Sequence, residues 1–151
     1  SVDLIARIAA GSAACRYLKL EDEPSPMKVS QIRAANPDIR IFGGLGGMMF
    51  LEELRHGAAG TMTGFAYPEI LVEIFAKYSA GDIDGATAVF YRYLPLIRFE
   101  NQPRINLAIR KHIYHRRGAL ASPTGRAPYA PVDAETLPDL DDILRRLGVA
   151  S

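Results

Sequence analysis

GTMTGFAYPEILVEIFAKYSAGDIDGA, residues 60–86, changes its period part-way along, and that change sets the kind of unit the chain repeats. Its opening GTMTGF carries β-branched residues around one methionine, which suits a short strand. From Pro68 onward Ile70, Leu71, Ile74, Phe75 and Tyr78 fall on one helical face. Proline is accepted in a first helical turn because its missing N–H would have had no partner there. Gly81 ends this helix and Asp82 can cap the next, in which Ala86, Val89, Phe90, Tyr93, Leu94 and Ile97 recur helically.

The same alternation extends toward the start. MMFLEELRHG, residues 48–57, predicts a compact helix closed by Gly57, and IRIFGG, 39–44, a strand running into glycines. Ser25 and Pro26 read as a cap and first-turn pair opening a helix to about Ala35, before Asn36-Pro37. Residues 15–20, within CRYLKLEDEP, read as a strand, and Val2, Ile5, Ile8 and Ala9 give a helix stopped by Gly11. Strands alternating with helices at this spacing predict parallel pairing through crossover helices, with both faces of the sheet covered. After Gly81 only helices follow: one from Asp82, one from about Pro103 to Arg117, and one from Thr136 holding Leu140, Ile143, Leu144 and Leu147. The proline-rich ALASPTGRAPYAPVDAE, 119–135, reads as an ordered surface connection. The expected organisation is a β/α region over 1–81 and a helical region over 82–151.

A chain of 151 residues with 48% hydrophobic and 23% charged residues is ordinary globular composition. A net charge of +1 provides no overall field for nucleic acid or an acidic membrane. The single cysteine, Cys15, excludes an internal disulfide, fits a reducing cytoplasmic compartment, and by its place in an apolar strand is expected to be buried and inert. No apolar run reaches the length of a membrane span, and no secretory leader is evident. The opening SVDLIARIAAG is already helical in period and reads like the middle of a longer polypeptide.

Lys19 is the anomaly, because an unpaired ammonium inside a strand is costly to bury. Alternation puts Tyr17, Lys19 and Glu21 on one face and Leu18 and Leu20 on the other. Spacing alone allows either a strand-end lysine whose stem covers apolar surface while its head stays wet, or an amine placed for chemistry. Glu21 could take part in proton transfer or simply pair with Lys28.

At this point the residues are similar to a known family. YLKLED, IFGGLGG, the 60–86 stretch and RYLPLI, in that order, resemble the C-terminal half of the dihydrodipicolinate synthase / N-acetylneuraminate lyase family. The most specific part is Gly60 to Ala86, where the family has a G-x-[IM]-[ST]-G strand end, a helix and a G-D-x-x-x-A turn. NQPRINLAIRKHIYHRRGAL and GRAPYAP fit its C-terminal helix and tail, while KLE and LPLIRFEN look closer to the branch acting on 2-keto-3-deoxy sugar acids. The resemblance implies an α/β fold, the last strands of a (β/α)8 barrel with a helical extension. It further implies that Lys19, in the sixth barrel strand, is a Schiff-base lysine acting on pyruvate or a 2-keto-3-deoxy sugar acid, with no metal or organic cofactor and in a homo-oligomer, commonly a tetramer.

Chemistry is consistent with that implication. An amine adds to a ketone only when unprotonated, desolvation inside a barrel favours the neutral form, and the resulting protonated imine is an electron sink. The family's substrate-carboxylate threonine pair and proton-relaying tyrosine have no counterpart here, both being expected upstream of Ser1. GGLGG also stands where many members carry acidic residues. An alternative of another class is therefore a non-catalytic half-barrel or assembly module that has kept the lysine.

The other motifs are less specific. FGGLGG fails both the dinucleotide and the Walker spacing, so its glycines, Gly44 among them, either leave room for substrate at a barrel mouth or make a tight turn. In GTMTG, strand geometry sends Thr61 and Thr63 one way and Met62 the other. The resemblance implies that this strand end, Met62 and Thr63, lines the substrate site, and strand packing explains it equally well. His112 and His115 have helical spacing for a metal pair, but they lack a third ligand and sit among Arg110, Lys111, Arg116 and Arg117, which reads as a wet basic face. With only Tyr114 as an interleaved aromatic, that face does not read as a nucleic-acid surface.

Overall fold

In the computed structural model, which describes residues 1–149, Tyr17–Leu20 (β1), Arg40–Gly43 (β2) and Gly60–Thr61 (β3) pair in parallel in the order β1-β2-β3. Lys19 lies beside Phe42, Leu20 beside Gly43, and Gly43 beside Thr61. Met62 N–H donates to the Gly43 carbonyl at 2.7 Å, carrying the pairing one residue past β3. The carboxyl ends of all three strands therefore finish at one level, which is where barrels of parallel strands carry their chemistry. The sheet is the expected α/β arrangement, with β1 and β3 as its edges among the described residues.

The helices are α1 (Val2–Gly11), α2 (Ser25–Ala35), α3 (Phe50–Arg55), α4 (Pro68–Ser79), α5 (Ile83–Glu100), α6 (Asn106–Arg116) and α7 (Thr136–Leu147). Asp82 caps α5 as its spacing predicts, accepting from Gly85 N–H at 2.9 Å. Pro95 lies within α5, which nonetheless continues to Glu100. Arg104, with φ of +74°, turns the chain between α5 and α6, so α6 starts later than its apolar spacing implies. None of the helices among the described residues is long and apolar enough to cross a membrane.

One apolar core runs from Phe50, Leu51 and Leu54 of α3 through Ile70 and Ile74 of α4 and Phe90 and Ile97 of α5 to Ile109, Leu140 and Leu144 of α6 and α7. Residues on both sides of Gly81 share it. A smaller cluster joins Leu20 and Ile41 to Val29 and Ile32 of α2, with Val2, Ile5 and Ala9 of α1 against it.

Several local expectations change. The sheet is covered on one face only: Leu20 and Ile41 are buried, but Tyr17 on the opposite face is 71% exposed. Cys15 is exposed, not buried, because the strand begins two residues later at Tyr17. Ser25 is the first residue of α2 and not its cap, Pro24 standing at that position, and its buried hydroxyl donates instead to Glu53 Oε1 at 2.7 Å. Glu53 is itself buried, and desolvation, together with nearby Glu52, raises its pKa against the pull of that hydrogen bond. Gly43 makes room for this carboxylate, since a Cβ there would lie 1.7 Å from Glu53 Oε2.

Candidate functional site

At the carboxyl end of the sheet a cavity of about 460 Å³ is lined by Lys19, Glu21, Gly44, Gly46, Met62 and Thr63 from the strand ends, and by Asn101, Asn106 and Arg110 from the helical tail. The four residues singled out from the sequence, Lys19, Gly44, Met62 and Thr63, thus share one cavity. Lys19 Nζ pairs with Glu21 Oε1 at 2.7 Å. The extended backbone that puts both residues on one face makes this pairing. Lys28 is not Glu21's partner: it pairs with Asp22 and donates to the Glu23 carbonyl. The Lys19 side chain is 44% exposed, so its ammonium is not sealed in a core.

The glycines after β2 make a tight turn and also border the cavity. Gly46 and Gly47 adopt φ of +66° and +84°, a tight turn that favours glycine. Gly44 and Gly46 border the cavity, and a Cβ at Gly44 would lie 2.9 Å from Lys19 Cε. Thr61 and Thr63 both border a neighbouring apolar cavity that Met62 does not, in keeping with the predicted alternation, and Thr63 also reaches the lysine's cavity beside Met62. Thr61 Oγ1 donates to the Gly43 carbonyl at 3.1 Å.

The tail residues of this site were missed. Arg110 Nη2 donates to Asn101 Oδ1 at 3.1 Å, and Arg110 Nε stands 3.7 Å from Glu100 Oε2. Glu100 is fully buried, and its Oε2 accepts from Ala66 N–H at 3.0 Å. Desolvation lifts its carboxyl to about 8, against the Ala66 hydrogen bond and the charges of Arg110 and Arg117. Arg117 also donates to the Ala66 carbonyl and pairs with Glu69, and Tyr114 donates to the Phe65 carbonyl at 3.2 Å. The tail thus clamps the turn that follows Met62–Gly64. One signal pointed to Glu100: it lies three residues after Ile97 and four after Leu96, a carboxylate in register with the buried face of α5.

The histidine pair is separate from this site. His115 Nδ1 bonds the Leu120 carbonyl at 2.9 Å, and burial and Arg116 lower the pKa of His112. Among the described residues no three His, Cys, Asp or Glu side chains are grouped to hold a metal. A second cavity of about 310 Å³, lined by Phe42, Phe50, Leu71, Val72 and Phe75 among others, contains no titratable side chain.

Comparison with known proteins agrees with this architecture. The dihydrodipicolinate synthetase family matches residues 25–147. An L-2-keto-3-deoxyarabonate dehydratase of Azospirillum brasilense is 30% identical over 149 residues, 97% of this chain and 48% of that protein. A crystal structure of a dihydrodipicolinate synthase from Rhodopseudomonas palustris superposes with a TM-score of 0.92 at 34% identity, covering 97% of this chain and 50% of that one. The synthase of Thermotoga maritima shares the fold, with a TM-score of 0.84 at 20% identity over 97% of this chain and 50% of its own. The chain spans about half the length of these relatives.

Proposed function

Because the chain belongs to the dihydrodipicolinate synthetase family, we propose that it carries the lysine-bearing part of a Schiff-base lyase, an aldolase or dehydratase acting on pyruvate or a 2-keto-3-deoxy sugar acid. The observation that carries this reading is Lys19 at the cavity, its Nζ held 2.7 Å from Glu21 Oε1. Glu21 is within reach to take the ammonium proton, freeing the nitrogen lone pair. The amine then adds to the keto carbon, the carbonyl oxygen leaves as water, and the iminium so formed draws electrons from the adjacent carbon. Loss of a proton from that carbon gives an enamine that expels the hydroxyl of the next carbon as water, whereas loss of that hydroxyl's proton breaks the C–C bond to give the enamine and an aldehyde. Gly44, Met62 and Thr63 line the space in which the acid would lie. The dehydratase name of the Azospirillum relative favours the sugar-acid branch. A cytoplasmic location and assembly into a homo-oligomer complete the proposal.

Borohydride reduction in the presence of pyruvate, on the native polypeptide that carries this chain, tests the assignment. A mass adduct on Lys19 that disappears in Lys19→Ala is the expected result. An adduct of equal yield in the variant ends the assignment, and no adduct in the unsubstituted protein favours the non-catalytic module. The isolated 151-residue chain is expected to show no turnover. Orientation and acid–base assistance each contribute orders of magnitude, and the family resemblance puts their remaining groups outside this segment. Turnover of 2-keto-3-deoxy acids by the isolated chain would refute that last point.

A further inference from the structure

The tail wall of the lysine cavity is made of hydrogen-bond donors. Asn101 Oδ1 is occupied by Arg110 Nη2 at 3.1 Å, and Asn106 Oδ1 by the Leu107 N–H at 2.7 Å. Each amide therefore has its NH2 group left to offer, and a guanidinium has no acceptor at all. Asn106 is also the first residue of α6, so the positive end of that helix dipole borders the same space.

Charge points the same way. Among the charged side chains lining the cavity, Lys19 and Glu21 pair with each other, which leaves the positive charge of Arg110. Its nearest carboxylate, Glu100, is fully buried behind the lining and forms only a long ion pair of 3.7 Å with Nε, beyond hydrogen-bond length, so it offsets that charge in part. Two glycines give these tail groups their access. A Cβ at Gly64 would lie 3.2 Å from Arg110 Nη1, and one at Gly46 would lie 2.3 Å from Asn101 Oδ1. The GGLGG turn thus brings only the Leu45 side chain to the cavity, and at Gly46 it yields the space to the tail.

We propose that Arg110, Asn101 and Asn106 form an anion subsite that binds a carboxylate or phosphate at the end of the 2-keto acid remote from its keto carbon. The inference rests on the Schiff-base reading of Lys19. Oxygen atoms that only accept match a donor-rich, positively charged cluster, and a guanidinium fork suits two such oxygens at once. A neutral hydroxyl gains much less from the guanidinium charge than an anionic oxygen does. The remote end is the one that fits, because the carboxylate next to the keto carbon must stay beside the imine nitrogen of Lys19. The lysine is backed by Gly44, whereas Arg110 is backed by Gly64.

The test uses 2-oxopentanoate and 2-oxoglutarate, acids of one chain length that differ only in a terminal methyl or carboxylate. Borohydride trapping on Lys19 in the native polypeptide is followed by mass spectrometry across a concentration series of each. The expected half-saturation for 2-oxoglutarate is at least tenfold lower. Arg110→Met brings the ratio of the two values to near one, and Arg110→Lys restores part of it. A ratio near one in the unsubstituted protein, or a ratio that survives Arg110→Met, overturns the subsite. Weakening both acids equally is such a survival, and would put Arg110 on the shared carboxylate. Should Arg110→Met fail to fold, Asn106→Ala decides: a reduced ratio supports the subsite and an unchanged ratio overturns it. A parallel series with 2-keto-3-deoxygluconate and its 6-phosphate reads whether phosphate is the preferred anion. If pyruvate forms no adduct on Lys19 at all, it is the Schiff-base reading that fails, and the subsite falls with it.

Discussion

Replacing Glu100 by glutamine should remove a pH dependence of stability that the wild-type fold carries. The carboxyl is fully buried, and desolvation raises its pKa from 4.5 to about 8. In the unfolded chain the proton leaves near the ordinary value, so between the two pKa values the folded state holds more protons than the unfolded one. Stability then falls as pH rises through that window, with no penalty below the lower value and the full penalty above the upper one. At about 1.4 kcal/mol per pKa unit, the loss accumulates to roughly 5 kcal/mol as an upper bound. Glutamine keeps an oxygen for the Ala66 N–H but never ionises. Its buried NH2 costs about 1–3 kcal/mol at every pH, so absolute stability is the wrong readout and the slope is the right one. Urea unfolding followed by circular dichroism, at one protein concentration from pH 4 to pH 9, should give a falling curve for the wild type and a flatter one for Glu100→Gln. Parallel curves would refute the reasoning, showing that Arg110 and Arg117 hold Glu100 ionised throughout.

Three further outcomes follow from the packing. Gly43→Ala puts a methyl where Glu53 Oε2 lies 1.7 Å away, so overpacking and the displaced carboxylate together should cost about 3 kcal/mol or more in urea unfolding; a loss below about 1 kcal/mol would contradict that crowding. Ser25→Ala strips Glu53 Oε1 of its 2.7 Å donor and should cost about 1–3 kcal/mol, measured the same way, with an unchanged midpoint as the contrary result. Light scattering on the isolated chain should detect oligomers or aggregates, because two sheet edges and the exposed Val72, Phe75 and Met62 invite association; a well-behaved monomer of 16.5 kDa would speak against it.

What the sequence disclosed depended on whether a residue's role was periodic. The alternation of β1 to α4, the start of α4 at Pro68 and the Asp82 cap are period and capping signals, and all appear as read. Lys19, Gly44, Met62 and Thr63 come together because each sits at a strand's carboxyl end, a place that parallel topology makes common to all. Asn101, Asn106 and Arg110 were invisible for the opposite reason. Polar residues at the end of α5 and in the first turns of the basic α6 look solvated, and only the docking of the two helices brings them to the cavity. Ser25 misled because its type suits a cap, yet it enters the helix and spends its hydroxyl on a buried carboxylate twenty-eight residues away. Cys15 misled by a strand boundary, the least secure feature of any periodic reading.

The contribution of the tail to the cavity separates two things that barrels of parallel strands usually join. The amine stands on the sheet, where a substitution disturbs pairing and core together. The donor wall stands on α5 and α6, reaching the cavity through gaps that glycines leave in the strand-end turns. Under the anion subsite proposed above, preference for one acid over another would drift by exchanging residues 101, 106 and 110 while the lysine and its strand stay untouched. Among close relatives of this chain, those three positions are where a change of diet would be written first.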